Sequence, residues 1–420
     1  MADPAALTAT EAARSIREGR LTPAALMEAC LARIEAREAV VQAMAFFDPV
    51  QARAAKPSPG PLHGLPVGVK DVLDTADMPS EYNSSIWRGH RPQADAACIA
   101  WAKAAGAVVL GKTVTTEFAT RTPGPTTNPH DALRTPGGSS SGSAAGVAAG
   151  FFPLAFGTQT AGSVIRPAAF CGVVGYKPSF GLINRHGMKL MSESLDTVGV
   201  MARSVADCAL FAGAVSGRDL GDPDRHTGTA PRIGLCRSPM WDRAAPETAA
   251  LFDRIAAPLT RAGASLRGFD LPPEYDALEA AHAVIMNHES ARAMGWELAT
   301  ARDQLSPSLR ERLEWGLAQP EAAVIESQAL FRFLQDGFEA TLGGLDILLT
   351  PAAPGEAPEG LAWTGDAGFN LIWTSLHVPC ITVPAGVGPN GMPLGVQIVA
   401  PRGRDREALA WAAWVASTLA

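Results

Sequence analysis

The chain has 420 residues, of which 47% are hydrophobic and 18% are charged, a composition that predicts a large buried core and excludes an intrinsically disordered protein. Its 35 basic and 42 acidic residues give a formal net charge of −7, so binding to nucleic acid by neutralisation of phosphates is not expected. No apolar run approaches the roughly 18 residues that a membrane span requires. The first residues also lack the basic and apolar regions of a signal peptide. These features predict a cytoplasmic protein without a membrane or nucleic-acid partner.

The cysteines are scattered along the chain, and no two of them form a C-x-x-C pair. This pattern is typical of reduced, buried thiols in a cytoplasmic protein. It also offers no zinc or iron–sulfur site, so we expect neither a metal nor a cofactor. The six cysteines are Cys30, Cys98, Cys171, Cys208, Cys236 and Cys380.

The first fifty residues are predicted to be helical. A helix over residues 11–18 ends at Gly19, and a second begins after Thr22, where Pro23 is a favourable first helical residue. Residues 54–64 are rich in turn formers and form a connection.

A strand is predicted next, over residues 65–72. In it Val67 and Val69 lie on one face and Lys70 lies on the other. A helix over 97–105 and a short buried strand over 107–110 follow.

After a polar loop come a Gly/Ser segment, residues 136–143, and a helix of very small residues, 144–149. Near the end, residues 346–351 form a strand, while 381–388 and 394–400 form a β-hairpin around Asn390 and Gly391. Because helices and strands interleave throughout, the predicted class is α/β, and a single domain is favoured since no linker or repeat is visible.

One segment, Gly106–Thr113, fits the P-loop pattern letter by letter. Its four middle positions should form a loop that wraps phosphates, but Ala-Val-Val-Leu is typical of a strand interior. The residues before it are predicted to be helical, whereas a P-loop follows a strand. We therefore interpret this segment as a helix end followed by a core strand.

A second segment, Gly138–Gly142, fits the G-x-S-x-G nucleophile elbow centred on Ser140. That elbow requires a strand immediately before it and a histidine later in the chain. Residues 133–137 are predicted to be loop, which disfavours the elbow, but histidines do follow, so the hypothesis stays open. These histidines are His186, His226, His282, His288 and His377.

The Gly/Ser segment also begins a longer stretch, residues 137–178. There a Gly/Ser loop, a small-residue helix, a short strand and a second Gly-Ser turn follow one another, and they bring Ser139 and Ser163 onto loops that could meet. At this point the sequence resembles the amidase signature family of serine hydrolases. The resemblance covers nearly the whole chain. Its further segments are 64–71, 105–113 with Glu117-Phe118, 128–131, 194–199, 378–384 and 391–397.

This resemblance implies one large α/β domain over residues 1–420, with a central mixed β-sheet covered by helices on both faces. An N-terminal helical segment would occupy 1–56, a catalytic core 57–215 and a variable substrate-pocket segment 216–345, and residues 346–420 would complete the core with strands and a helix. Pocket-lining residues are hardest to identify in the variable segment. His282, Asn287 and His288 are candidates there, although buried or surface histidines are more frequent in general.

The resemblance also implies a Ser–Ser–Lys triad that cleaves a carbon–nitrogen bond of a small-molecule amide or urea-like substrate. Ser163 would be the nucleophile that forms an acyl-enzyme, Ser139 the bridging serine after a cis peptide bond, and Lys70 the general base. A lysine can accept a proton only when it is neutral, which requires burial and no strong anionic partner. The backbone N–H groups of Thr160, Ala161 and Gly162 would stabilise the oxyanion.

The sequence departs from the family pattern around the proposed nucleophile. Gln159 replaces the usual acid, Ala161 a glycine and Ile165 the usual arginine, while Arg166 stands one place later. If the acid and the arginine normally pair, both partners have been lost together, which avoids a buried unpaired charge. The sequence of residues 159–167 is similar to that of the carboxybiuret-hydrolase-like branch of the family.

Two other functions remain open. One is a glutamine-releasing subunit of a tRNA-dependent amidotransferase, which should carry the usual acid and Gly-Gly at the nucleophile. The other is a non-catalytic assembly subunit with the same fold, which the presence of Lys70, Ser139 and Ser163 disfavours. The sequence leaves the oligomeric state open, with a homodimer as one option.

Overall fold

One mixed β-sheet extends through the protein, with Met44–Phe47 at one edge and Ser265–Phe269 at the other. The computed structural model describes residues 3–225 and 230–420. The strands are β1 Met44–Phe47, β2 Pro66–Lys70, β3 Val108–Thr113, β4 Leu154–Gln159, β5 Val174–Lys177, β6 Thr197–Ala202, β7 Arg232–Cys236, β8 Ser265–Phe269, β9 Ile347–Pro351, β10 Cys380–Val387 and β11 Pro393–Val399. In the described residues the sheet has 11 strands in the order β1-β3-β2-β4-β6-β5-β10-β11-β9-β7-β8.

Helices flank this sheet and confirm the predicted α/β class and the single domain. The α-helices are α1 Ala9–Arg17, α2 Pro23–Val41, α3 Pro49–Ala54, α4 Ala97–Ala104, α5 Ser141–Ala149, α6 Ile165–Cys171, α7 Val205–Ser216, α8 Pro246–Arg261, α9 Leu278–Ala293, α10 Gly295–Thr300, α11 Pro307–Leu317, α12 Glu321–Thr341, α13 Gly368–Ser375 and α14 Asp405–Leu419. None of these helices is long and apolar enough to cross a membrane.

The sheet is mixed because it contains both parallel and antiparallel strand pairs. Strand β2 lies between two parallel neighbours, β3 and β4, with Val69 opposite Lys112 on one side and Phe156 on the other. Strand β4 then pairs antiparallel with β6. This arrangement places Lys70, the last residue of β2, beside the carboxyl end of β4, and the turn that carries Ser163 follows directly after β4.

Local signals account for where several helices begin. Thr8 and Glu11 form a reciprocal capping box at α1, and the Thr22 hydroxyl accepts the N–H of Ala25 at the start of α2, where Pro23 is the first residue. Such caps satisfy N–H groups that have no partner inside the helix. The predicted positions of both helices are close to the observed ones. The helical prediction for the first fifty residues is wrong at Met44–Phe47, which forms β1 and pairs with β3.

Two predicted boundaries differ from the observed ones by three residues. Strand β3 continues to Thr113 instead of ending at residue 110, so residues 108–113 of the P-loop pattern form a fully buried strand. Helix α5 begins at Ser141 instead of residue 144, because its first turn is anchored on Val114, which follows β3: the Ser141 hydroxyl and the Gly142 N–H both donate to the Val114 carbonyl. The predicted hairpin is present as β10 and β11, and all six cysteines are free and buried.

Helix α5 is built from small residues because it packs closely against its surroundings. A Cβ at Gly142 would lie 2.2 Å from the carbonyl oxygen of Ala43, and a Cβ at Gly146 would lie 2.2 Å from the ring of Phe152. A larger residue would push the helix away. Since Ser139 precedes this helix by two residues, its close packing also fixes the position of the Gly/Ser loop.

This packing predicts opposite effects for two glycine-to-alanine substitutions inside helices. Gly146→Ala should lower the free energy of unfolding by about 1–3 kcal/mol, because the methyl group overpacks against Phe152. Gly337→Ala, in α12, has no atom within 4 Å of the new methyl group and should raise it by about 0.4–1 kcal/mol. Guanidinium denaturation followed by circular dichroism measures both. Equal effects of the two substitutions would contradict the packing account.

Candidate active site

Lys70 lies at the end of β2 with its side chain fully buried. Its Nζ is 2.7 Å from the Oγ of Ser139, 2.8 Å from the Oγ1 of Thr158 and 3.3 Å from the Thr158 carbonyl oxygen. The structure therefore brings two of the three predicted catalytic residues into contact. Thr158 was not identified from the sequence. Its place beside Lys70 follows from the pairing of β2 with β4, which only the folded sheet reveals.

The electrostatic setting of Lys70 differs from that of Lys112 on the neighbouring strand. The Nζ of Lys112 lies 3.0 Å from the Asp71 carboxylate in a buried ion pair, whereas Lys70 takes part in none of the salt bridges of the described residues. Burial lowers the pKa of Lys70 to about 7, an effect that the charge of Arg166 increases and that of Asp196 opposes. A substantial fraction of Lys70 is thus neutral near pH 7, as a general base requires.

Ser139 lies in a tightly constrained loop. Gly137 has a φ of +81°, in the left-handed region that favours glycine, and its Cβ position would be 2.8 Å from Pro167. The Gly138–Ser139 peptide bond is cis, as the family resemblance implies. The buried guanidinium of Arg166 donates to the carbonyl oxygen of Gly138 at 2.6 Å. Arg166 therefore fixes the peptide that carries Ser139.

Ser163 lies in the turn between β4 and α6, at the wall of a cavity of about 400 Å³. In the described parts of the chain, no hydrogen bond joins its hydroxyl to that of Ser139. The backbone N–H groups of residues 160–163 likewise have no acceptor there and remain available to a ligand. Gly162 permits a close approach to α13, since a Cβ at this position would lie 2.4 Å from the Oδ1 of Asn370.

Gln159 holds this turn in place without a charge. Its Oε1 accepts the N–H groups of Val164 at 2.9 Å and Ile165 at 3.1 Å, at the start of α6. Its Nε2 donates to the Oγ1 of Thr374 at 3.0 Å, and that hydroxyl donates to the carbonyl oxygen of Ala161 at 2.8 Å. Ile165 is buried in an apolar cluster. The two departures from the family pattern are therefore compatible with each other, since neither introduces an unpaired charge.

His282 and Asn287, both on α9, line the cavity, whereas His288 instead contacts the carbonyl oxygen of Gly316. The Nε2 of His282 lies 2.9 Å from the carbonyl oxygen of Thr160. Burial lowers the pKa of His282 to about 4, so this imidazole is neutral at pH 7. It supports the turn before Ser163 through the backbone.

The nucleophile elbow centred on Ser140 is wrong. No strand comes before it in residues 133–137, and the Ser140 hydroxyl is buried and exchanges hydrogen bonds with the N–H and carbonyl groups of Thr158. The histidine contacts of the described residues involve other partners: His282 contacts Thr160 and His377 contacts Ser194. His226, another candidate for the elbow, lies outside the described residues.

Residues 3–225 and 230–420 contain no group of three or more His, Cys, Asp or Glu side chains that could hold a metal ion.

Comparison with known proteins places this geometry among amide-cleaving enzymes. The sequence profile of the family named Amidase matches residues 25–409. A glutamyl-tRNA(Gln) amidotransferase subunit of Chloroflexus aggregans is 33% identical, and the match covers 94% of this chain and 92% of that protein.

Two solved structures share the fold over almost their full length. The crystal structure of an amidase has a TM-score of 0.90 at 30% identity, covering 99% of this chain and 100% of that one. The structure of 6-aminohexanoate cyclic dimer hydrolase with its substrate has a TM-score of 0.89 at 28% identity, and the match covers 99% of this chain and 98% of that one.

The contacts of Gln159 predict that Gln159→Ala lowers the free energy of unfolding by about 1–3 kcal/mol, because two buried N–H groups lose their acceptor. Gln319→Ala is the control, since this side chain makes one hydrogen bond at the surface, to the carbonyl oxygen of Trp315, and its loss should change the free energy by less than about 0.5 kcal/mol. Denaturant titration compares the two variants. If Gln159→Ala is as stable as the wild type, Gln159 does not hold the turn.

Proposed function

The chain belongs to the amidase family, and on that premise we propose that it hydrolyses an amide or urea-like carbon–nitrogen bond of a small molecule through an acyl-enzyme on Ser163. The observation that carries the proposal is the position of a buried lysine without a carboxylate partner, 2.7 Å from the Ser139 hydroxyl. An amide carbon is a poor electrophile, so a serine nucleophile needs a base to remove its proton.

The proposed reaction begins with two linked proton transfers. Neutral Lys70 accepts the proton of the Ser139 hydroxyl, and Ser139 accepts the proton of Ser163 while the Ser163 Oγ forms a bond to the carbonyl carbon. Because Ser139 and Ser163 are not yet hydrogen-bonded to each other, this step requires the Ser163 side chain to turn towards Ser139 when substrate enters. Catalytic hydrogen bonds are often long or poorly aligned before the substrate binds.

The remaining steps reverse the direction of proton flow. The tetrahedral intermediate collapses, the carbon–nitrogen bond breaks, and the proton held by Lys70 returns through Ser139 to the leaving nitrogen. Water then attacks the acyl-enzyme and gives a proton to the same relay. The bond between the acyl carbon and the Ser163 Oγ breaks, and the relay returns that proton to the Ser163 Oγ as the carboxylic acid leaves. Each residue ends in its initial protonation state.

The turn over residues 160–163 is proposed as the oxyanion-binding element. Its backbone N–H groups lack protein acceptors in the described structure, and the turn is held from three sides by Gln159, by His282 and by Asn370 next to Gly162. Preorganised donors of this type stabilise the charge that develops on the carbonyl oxygen, and losing one typically costs about 2.7–4 kcal/mol in the transition state.

A second candidate function is that of a glutamine-releasing amidotransferase subunit that acts with partner chains. The identity to the Chloroflexus aggregans protein over 94% of the chain favours it. Gln159 and Ala161, in place of the acid and glycine usual in the family, disfavour it. The cytoplasmic location, the homodimer, the absence of a nucleic-acid partner and the resemblance of residues 159–167 to the carboxybiuret-hydrolase-like branch stay predictions.

Ser163→Ala should abolish both amide hydrolysis and labelling by a fluorophosphonate probe, because only an activated serine reacts with this probe. The purified chain alone is assayed against a panel of small primary amides, ureas, aryl amides and glutamine, and the labelled peptide is mapped by mass spectrometry. Turnover without partner chains supports the amidase. Glutamine release that requires added partner subunits supports the amidotransferase role, and a label on Ser140 contradicts the assignment of Ser163.

The role of Lys70 as a general base predicts how the rate of amide hydrolysis depends on pH. Activity should rise as the pH passes through about 7 and then level off, because the pKa of Lys70 is lowered to that range by burial and only the neutral form accepts a proton. Lys70→Ala should lose about 10²- to 10⁴-fold in kcat at neutral pH. Lys70→Arg should lose as much, because a guanidinium stays protonated.

The control for this series is Lys103→Ala, since Lys103 forms surface ion pairs with Asp77 and Asp95 and should leave the profile unchanged. The pH–rate profiles and thermal midpoints of the three variants and the wild type are compared. An active Lys70→Arg variant together with an inactive, destabilised Lys70→Ala variant would show that Lys70 is a structural cation.

A further inference from the structure

The cavity beside Ser163 has an excess of positive charge on its wall. Its acidic side chains, Glu279 and Asp366, share one partner: the guanidinium of Arg243 lies 2.7 Å from Glu279 and 3.3 Å from Asp366. The wall also carries Arg121, Arg166 and Arg312, and none of the three takes part in a salt bridge within the described ranges. Arg243 compensates one of the two negative charges, and the three arginines of the wall outnumber the acid that is left. Arg166 donates to the Gly138 carbonyl, so Arg121 and Arg312 are the pair not engaged with the Ser139 loop.

Arg312 is held in a fixed orientation by an uncharged neighbour. Its Nε and Nη2 both donate to the Oδ1 of Asn287, at 3.1 Å and 2.9 Å. This leaves Nη1 without an acceptor among the described residues. Helix α11 supplies Arg312 and helix α9 supplies Asn287, so two packed helices position the guanidinium, and its remaining N–H groups are available to a ligand.

The two guanidinium groups repel each other, and that of Arg312 is also partly removed from water. Arg312 is half-buried, and burial, followed by the charge of Arg121, lowers its pKa to about 10. Glu311 lies in the adjoining depression with both arginines, but it forms no ion pair with either within the described parts. A bound anion would relieve this repulsion and restore the lost solvation.

We propose that the substrate carries a carboxylate in addition to its scissile amide or urea-like bond, and that Arg121 and Arg312 bind this carboxylate in the cavity. The inference rests on the amide hydrolysis proposed above. A guanidinium presents its N–H groups in a planar fork that matches a carboxylate. The cavity of about 400 Å³ is in the size range of small-molecule sites, so the occupant is a compact acid amide and not a polymer.

Matched pairs of substrates test this proposal with the wild-type enzyme. Monoamides of linear C3–C6 dicarboxylic acids are compared with neutral primary amides of the same chain length. The best monoamide should have a kcat/KM about 10- to 100-fold above that of its neutral counterpart, as a charge-assisted hydrogen-bonded pair would give. Equal values within each pair would overturn the carboxylate inference while leaving amide hydrolysis intact.

Three variants localise the effect. Arg312→Gln should remove most of the preference for the acid amide, mainly through a higher KM, with the neutral amide hardly affected. Arg121→Gln should act in the same direction and does not endanger the fold, since this side chain is exposed. Arg310→Gln is the matched control, because Arg310 lies on the same helix outside the cavity and should change neither substrate. A preference that survives both cavity substitutions would contradict the assignment.

A binding measurement separates this inference from the proposed function. Calorimetry with the Ser163→Ala protein measures binding of the same monoamides and, in parallel, of inorganic phosphate. If a monoamide binds and Arg312→Gln weakens this binding at least about 10-fold, the carboxylate site is supported. This conclusion holds even if the wild-type protein hydrolyses no amide, and that lack of hydrolysis would refute only the amidase proposal. Binding of phosphate without any monoamide would overturn the carboxylate site.

Discussion

The proposed chemistry depends on the burial of one lysine that forms no salt bridge within the described residues. Lys70 is enclosed at the end of β2 with only hydroxyl and carbonyl oxygens around its Nζ, and this desolvation lowers its pKa to about 7. The unfolded chain retains the proton up to its ordinary value of 10.5, so between these pH values folding releases a proton and stability rises with pH. Below pH 7 the cost of the buried ammonium is largest. The burial of Lys70 therefore lowers the stability of the fold and at the same time keeps this lysine available as a base.

The rest of the site is arranged so that this lysine remains unpaired. Lys112, on the neighbouring strand, shows the alternative, since it is equally buried but paired with Asp71. Around Lys70, the other cation, Arg166, is directed to the Gly138 carbonyl instead of to a carboxylate. At the turn before Ser163, Gln159 satisfies two N–H groups with an uncharged amide. Neutral hydrogen bonds thus hold the loops, and the charge of Asp196 raises the pKa of Lys70 without cancelling the effect of burial.

The sequence was sufficient for the fold class, the hairpin, the family and the segments that carry Lys70, Ser139 and Ser163, because these depend on local patterns and on motifs in a fixed order. It was insufficient for Thr158, whose contact with Lys70 arises from the pairing of β2 with β4. The link from Gln159 through Thr374 to Ala161 joins residues more than two hundred positions apart, and no local pattern predicts it. The proposed role of Arg312 could not be predicted for the same reason, because it depends on which acidic side chains elsewhere in the chain already form salt bridges.

The most direct test of this account is the pKa of Lys70 itself, measured by NMR on protein labelled with ¹³C at the lysine Cε. The chain has only six lysines, Lys56, Lys70, Lys103, Lys112, Lys177 and Lys189, and the Lys70→Met variant identifies the signal of interest. The account predicts a titration midpoint near 7. A Lys70 signal that remains protonated up to its ordinary value near 10.5 would contradict the claim that this lysine is a neutral base.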